Sequence, residues 1–180
     1  STCSIYLYYS TVTFTGTGTY SGQKCLVYIR SSTVSILSGN FVTTGQYGVG
    51  GGSGVYLFSG TLNLSTAPSD LMSTSRRDIG SRSSPYIYSG GNASVYIENG
   101  QFNMYGGYLH SDNTNSMATL FFHSSNTYHP VIDGGDILSD NYVAIQNDST
   151  SAVLEITGSA HIGTPSLHSA INSTGVVRIN

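Results

Sequence analysis

The residues able to do chemistry in this chain are few, and their spacing limits what they could do. Nine acids are spread over 180 residues, and only Asp133, Asp136 and Asp140 stand close together. Cleaving a glycan needs two converging carboxylates, or carboxylates with calcium and a basic residue on one face. Asp133 and Asp136 flank Gly134-Gly135, where Asp ordinarily closes an Asx-turn, so the turn role is the expectation and a catalytic or calcium-binding pair the rival. His110 stands near Asp112, while His123, His129, His161 and His168 are scattered. No His-x-His or Cys/His spacing brings imidazoles together, so neither a metal nor any other cofactor is expected. Gly-x-Ser-x-Gly is absent, and the run Gly48-Val-Gly-Gly-Gly-Ser-Gly54 lacks the Lys-Ser/Thr ending of a phosphate loop. Arg76, Arg77 and Arg82 make up half of the six basic residues. Such concentration is what a partner contact needs, although a solvated loop balanced by Asp70 and Asp78 accounts for it as well.

The elements that would position these groups emerge from a repeat. An apolar–x–apolar phrase, usually followed by Gly, recurs at Val12-Thr-Phe14, Val34-Ser-Ile36, Val55-Tyr-Leu57, Val95-Tyr-Ile97, Pro130-Val-Ile132, Leu154-Glu-Ile156 and Val177-Arg-Ile179. Taking Phe14, Ile36, Leu57, Ile97, Ile132, Ile156 and Ile179 as one column gives spacings of 22, 21, 40, 35, 24 and 23. The two long intervals read as a coil plus an inserted loop, near residues 66–85 and 105–117.

A second alternation precedes each phrase: Ile5-Tyr-Leu7, Val27-Tyr-Ile29, Tyr47-Gly-Val49, Tyr86-Ile-Tyr88, Leu120-Phe-Phe122, Val143-Ala-Ile145 and Ala170-Ile171. A third follows in several copies, as at Asn40-Phe-Val42 and Asp136-Ile-Leu138. Three short strands and three turns fill about 22 residues, and within each strand the alternate apolar residues point inward. Like phrases in one chain direction can pair only if they lie parallel, whereas a sandwich would show hairpin signals between neighbours. The expectation is an all-β, right-handed parallel β-solenoid of about seven coils, forming a single domain over residues 1–180, either whole or as a fragment of a longer repeat protein.

Three further features share the period. Cys3 and Cys25 are 22 apart, which on adjacent coils lies within disulfide reach, with two buried thiols as the alternative. Glu155 and Arg178 occupy one outward column and form a surface ion pair. Tyr6 with Tyr28, and Tyr56 with Tyr96, fall in matching outward columns; stacked, they could bind sugar rings or a neighbouring subunit, or simply stabilise the sheet. A threonine run, Thr11-Val-Thr13-Phe-Thr15-Gly-Thr17, does not persist, since the outward column continues Ser35, Tyr56, Tyr96, Val131 and Glu155.

Composition narrows the partners. Charged residues are 8% and the net charge is −3, with 14 Tyr and 6 Phe, which favours a folded chain over disorder. Six basic residues offer no footprint for phosphate backbones, so nucleic acid is not expected. No apolar run reaches the roughly 20 residues of a membrane helix, and the first residues lack the pattern of a signal peptide. Scarce charge, a disulfide and sequons at Asn63, Asn92, Asn147 and Asn172 suit an exterior surface.

The stretches Ser151-Ala-Val-Leu-Glu-Ile-Thr-Gly158 and His168-Ser-Ala-Ile-Asn-Ser-Thr-Gly-Val-Val-Arg-Ile-Asn180 resemble the repeats of right-handed parallel β-helix regions, of the pectate-lyase-like superfamily, in secreted bacterial surface proteins and phage tail or spike proteins. The resemblance is strongest over residues 118–180 and implies fold and exterior location; no catalytic motif of those enzymes maps onto this chain. The functional expectation is an extracellular structural or adhesive element rather than an enzyme, associating with itself end to end in a fibre or appendage, or with glycans or a cell surface. The alternatives are a polysaccharide-degrading β-helix enzyme using Asp133 and Asp136, and a glycan-binding module using Tyr6, Tyr28, Tyr56 and Tyr96.

Overall fold

The computed structural model describes residues 3–45, 51–65, 85–112, 116–164 and 168–180. Among them there are eighteen β-strands and no helix. The chain winds through three faces, one strand per face. The first coil is β1 (Ile5–Tyr8), β2 (Thr11–Phe14) and β3 (Thr19–Gly22); the second is β4 (Val27–Arg30), β5 (Ser32–Ile36) and β6 (Asn40–Thr43). The third is β7 (Val55–Leu57), β8 (Gly60–Leu64) and β9 (Tyr86–Ser89). In the fourth, β10 (Val95–Ile97) is followed by β11 (Gly100–Ser111), which runs through a corner and serves two faces. In the fifth, β12 (Leu120–Phe122) precedes β13 (Val131–Ser139), which does the same. The sixth is β14 (Ile145–Asn147), β15 (Val153–Ile156) and β16 (His161–Gly163), and β17 (Ile171–Ser173) with β18 (Val176–Ile179) open a seventh.

Every pairing is parallel and joins a coil to its neighbour. The first face is a seven-stranded sheet, β1-β4-β7-β10-β12-β14-β17. The second and third faces form one eleven-stranded sheet because β11 and β13 belong to both. Inward-pointing Val27, Val55, Val95 and Leu120 stack along the first face, and Ile36, Leu64, Met104 and Ile132 along the second, all fully buried in one continuous core. Parallel sheets tolerate this arrangement because each strand needs only one apolar side when the other faces outward.

The parallel solenoid matches the sequence expectation, but the coil assignment needs correction in the middle. Val55–Leu57 and Val95–Ile97 lie on the first face, not in the column of Phe14 and Ile36. The partner of Ile36 is Leu64, and that of Leu64 is Met104. Tyr86–Tyr88 pairs with Asn40–Val42 on the third face. One phrase, apolar–x–apolar, is demanded by burial on every face, so it cannot say which face a copy belongs to. Residues 105–111, assigned above to an inserted loop, continue β11 as strand. Gly106-Gly107 and Gly134-Gly135 let β11 and β13 round the corner, with Gly107 and Gly135 at φ +96° and +86°. A Cβ on Gly135 would stand 2.6 Å from Met104 Cε and 2.7 Å from Gly107 O, so only glycine fits there. The other expected insertion, 66–85, and Tyr47–Val49 lie outside the described residues apart from Pro85.

Cys3 and Cys25 are joined by a disulfide between the first two coils, with Cα atoms 4.5 Å apart. Glu155 and Arg178 pair in register, Oε1 to Nη1 at 3.5 Å.

Candidate functional site: an aromatic face on the first sheet

Correct registration turns two pairs of tyrosines into one ladder. The strands of the first face read Ile5-Tyr6-Leu7-Tyr8, Val27-Tyr28-Ile29-Arg30, Val55-Tyr56-Leu57-Phe58, Val95-Tyr96-Ile97-Glu98 and Leu120-Phe121-Phe122-His123. Their first and third residues fill the core, so the second and fourth must point outward. Tyr6, Tyr28, Tyr56, Tyr96 and Phe121 are therefore successive partners across five coils. Adjacent ring centroids lie 5.6, 5.3, 5.1 and 5.1 Å apart. The first three contacts are tilted or edge-on and the last is stacked, geometries that aromatic pairs favour beyond simple burial.

Beside this ladder runs a second outward column, Tyr8, Arg30, Phe58, Glu98, His123 and Asp148, set by the backbone bonds that continue each strand pair. Tyr8 stacks on Tyr6 with planes 11° apart, and Phe58 packs against Tyr28 at 5.9 Å. The Arg30 guanidinium sits 5.4 Å from the Phe58 centroid, a cation–π contact.

Exposure divides the face. Tyr6, Tyr8 and Phe58 are 43%, 46% and 36% exposed, and Tyr28 and Tyr56 are half-buried. Further along, Tyr96 is fully buried and Phe121 nearly so, in a small cluster with Ala93 and Met117. The ladder is open over the first three coils and roofed over the next two.

Glu98 stands at the boundary. The Tyr56 hydroxyl donates to its Oε2 at 3.2 Å, while its Oε1 lies 3.6 Å from His123 Nδ1. The backbone N–H of Ser125 donates to His123 Nδ1 at 3.2 Å, and the Ser125 hydroxyl donates to the Glu98 carbonyl at 2.8 Å. Burial, then the negative charge and hydrogen bonding of Glu98, push the Tyr56 phenol well above its usual pKa. Burial first, and then the negative charge of Glu98, raise Tyr96 as well. The buried Tyr96 hydroxyl has no hydrogen bond of good geometry among the described residues. Tyr28 is raised chiefly by burial, with Arg30 opposing.

The remaining candidates are placed elsewhere. Asp133 accepts a 2.6 Å bond from the Thr157 hydroxyl, and Asp136 Oδ1 lies 3.2 Å from His161 Nδ1. The two acids are on opposite sides of the Gly134-Gly135 corner, each engaged with a different residue of the next coil. Arg76, Arg77 and Arg82 lie outside the described residues. Among those residues no group of three or more His, Cys, Asp or Glu could hold a metal ion, and no helix is long and apolar enough to cross a membrane. On the third face Tyr86, Tyr88, Tyr108 and His110 form a second aromatic group, with His110 Nε2 3.1 Å from Asp140 Oδ2. Burial and the Asp112 carboxylate raise the Tyr88 phenol. Of the sequons, Asn92 and Asn147 are buried, whereas Asn172 is exposed.

Sequence spacing found Tyr6, Tyr28, Tyr56 and Tyr96 but missed Tyr8, Phe58, Glu98 and His123. The missed signal is the fourth residue of each tetrad, which becomes visible only when Val55 and Val95 are aligned with Ile5 and Val27. Comparison of the chain with protein-family models, curated proteins and solved structures finds no match.

Proposed function

We propose that this protein is an adhesive β-solenoid of the cell exterior that binds surface glycans through the open aromatic face of its first sheet. The observation that carries the reading is the continuous array of Tyr6, Tyr8, Tyr28, Tyr56 and Phe58 on a parallel sheet, exposed at Tyr6, Tyr8 and Phe58 and half-buried at Tyr28 and Tyr56. Aromatic rings offer apolar faces to the C–H faces of sugars, and phenols add hydrogen-bonding tips. Held by strands rather than loops, they are ordered before any ligand arrives, so little side-chain entropy is lost on binding. The disulfide and the scarcity of charge support an oxidising, exterior setting. The likeness of the repeats to those of secreted β-helix proteins points the same way.

The polysaccharide-cleaving alternative draws less support, because Asp133 and Asp136 are each tied to a separate neighbour. The test is a glycan array probed with the purified chain and with the double variant Tyr6→Ala/Tyr8→Ala. The expected result is selective binding by the native chain and a loss of about tenfold in the variant, since ring stacking contributes about 0.5–1.5 kcal/mol per ring. Absence of binding to every glycan overturns the reading.

A further inference from the structure

Glu98 and His123 supply what the aromatic face alone lacks, a polar anchor. We infer that the Glu98 carboxylate, with His123 beside it, forms the specificity site of the aromatic face and selects neutral sugars carrying adjacent hydroxyl groups over acidic ones. This inference rests on the glycan-binding reading above and names the class of sugar.

The argument begins with lone pairs. A carboxylate offers about four acceptor positions. Tyr56 takes one on Oε2, and His123 Nδ1 stands 3.6 Å from Oε1, beyond good hydrogen-bond distance. With the buried Tyr96 phenol also set against the carboxylate, about two of its four acceptor positions are left for an incoming donor, and Glu98 is accessible, its side chain 27% exposed. Two neighbouring sugar hydroxyls can donate to one carboxylate together, a charge-assisted arrangement stronger than neutral pairs. His123, with its side chain 36% exposed, has Nδ1 engaged by Ser125 and leaves Nε2 for a third polar contact.

Position supports the chemistry. Glu98 follows Phe58 in the outward column, one coil further along, so a sugar resting against the exposed Phe58 ring places its rim over the carboxylate. The Tyr56–Glu98 bond fixes the carboxylate before binding, which limits the ordering cost. Asp148 continues the column beyond His123 and is held by the Gln146 amide at 2.9 Å. Two carboxylates along one edge repel a uronic or sialic acid, and Arg30, whose guanidinium packs on Phe58, stands two coils before Glu98 in the column.

The experiment titrates the native chain, Glu98→Gln, His123→Gln and Tyr6→Ala/Tyr8→Ala with a galacto-oligosaccharide, a manno-oligosaccharide and an oligogalacturonate. The native chain is expected to bind at least one neutral probe more tightly than the oligogalacturonate. Glu98→Gln keeps the shape but removes the charge, and is expected to weaken neutral binding about tenfold while narrowing the gap to the acidic probe. His123→Gln is expected to weaken it about threefold, and carries the test should Glu98→Gln fail to fold. Neutral binding within about twofold of native in the folded Glu98→Gln chain, with Tyr6→Ala/Tyr8→Ala still defective, overturns the site but leaves the aromatic-face reading intact. Native binding to neither neutral probe more tightly than to the oligogalacturonate overturns the selection of neutral sugars, whereas the aromatic-face reading falls only if the array shows no binding at all.

Discussion

Glu98 also shapes the phenols beside it, and this gives it a signature independent of any sugar. Tyr56 donates to its carboxylate and Tyr96 is buried within its field, so ionising either phenol would place a second negative charge against the first. With folded-state values above the usual value near 10, these tyrosines keep their protons while the unfolded chain loses them. Their contribution to stability is full below about pH 10 and declines as the pH rises further. The urea midpoint is therefore expected to hold level to about pH 9.5 and then fall. In Glu98→Gln the Tyr56 titration shifts down toward the ordinary range, because the charge and the ionic acceptor are both gone. An unchanged alkaline titration in that variant would show that burial alone holds the phenol up.

Strands and corners explain where the sequence was legible and where it was not. Parallel pairing, the inward Val and Ile columns and the Cys3–Cys25 contact all follow from a single period, and the first two coils keep it cleanly at 22 residues. The third coil breaks it: Leu7, Ile29, Leu57 and Ile97 are separated by 22, 28 and 40 residues. A fixed period then slides the alignment from one face to the next, which split the tyrosine ladder into two pairs. Glu98 was unreadable for the same reason, since an isolated acid gains meaning only from the coil on which it rests. Corners carry their own signature, and Gly60 is the sharpest case. It lies at φ +108°, and a Cβ there would come within 2.2 Å of the Ser32 carbonyl oxygen. Gly60→Ala is expected to cost about 2 kcal/mol or more in urea unfolding, from both the left-handed backbone and the clash with an unyielding neighbour. Gly18→Ala, with no atom within 4 Å of its Cβ, is the control and should be neutral or stabilising by up to about 1 kcal/mol. Equal effects at the two positions would refute the corner argument.

At the scale of the whole molecule, each coil touches only its neighbours, so stability is close to a sum of coil and interface terms and need not be lost all at once. The interface between the first two coils is where this matters most. Ile5, Leu7 and Phe14 of the first coil are only partly buried, whereas the corresponding residues of the next coil, Val27, Ile29 and Ile36, are fully buried. The disulfide offsets that thin packing by tying Cys3 to Cys25 across the coil boundary, next to the backbone bonds from Ser4 to Cys25 and Ile5 to Leu26. Closing a loop of this length is worth about 3 kcal/mol on chain-entropy grounds. Reduction, or the Cys3→Ser/Cys25→Ser variant, is thus expected to raise the exchange rates of the Ile5 and Tyr9 amides, which bond across this boundary, by about a hundredfold. Amides of Val95 and Leu120, in the fully buried middle coils, should remain protected. The same change should weaken binding at Tyr6 and Tyr8 before it weakens anything at Glu98, because those rings ride on the strand that is released. Uniform loss of protection along all coils would instead show a single cooperative unit, and the aromatic face would then have to be treated as one rigid body rather than as rungs that open in order.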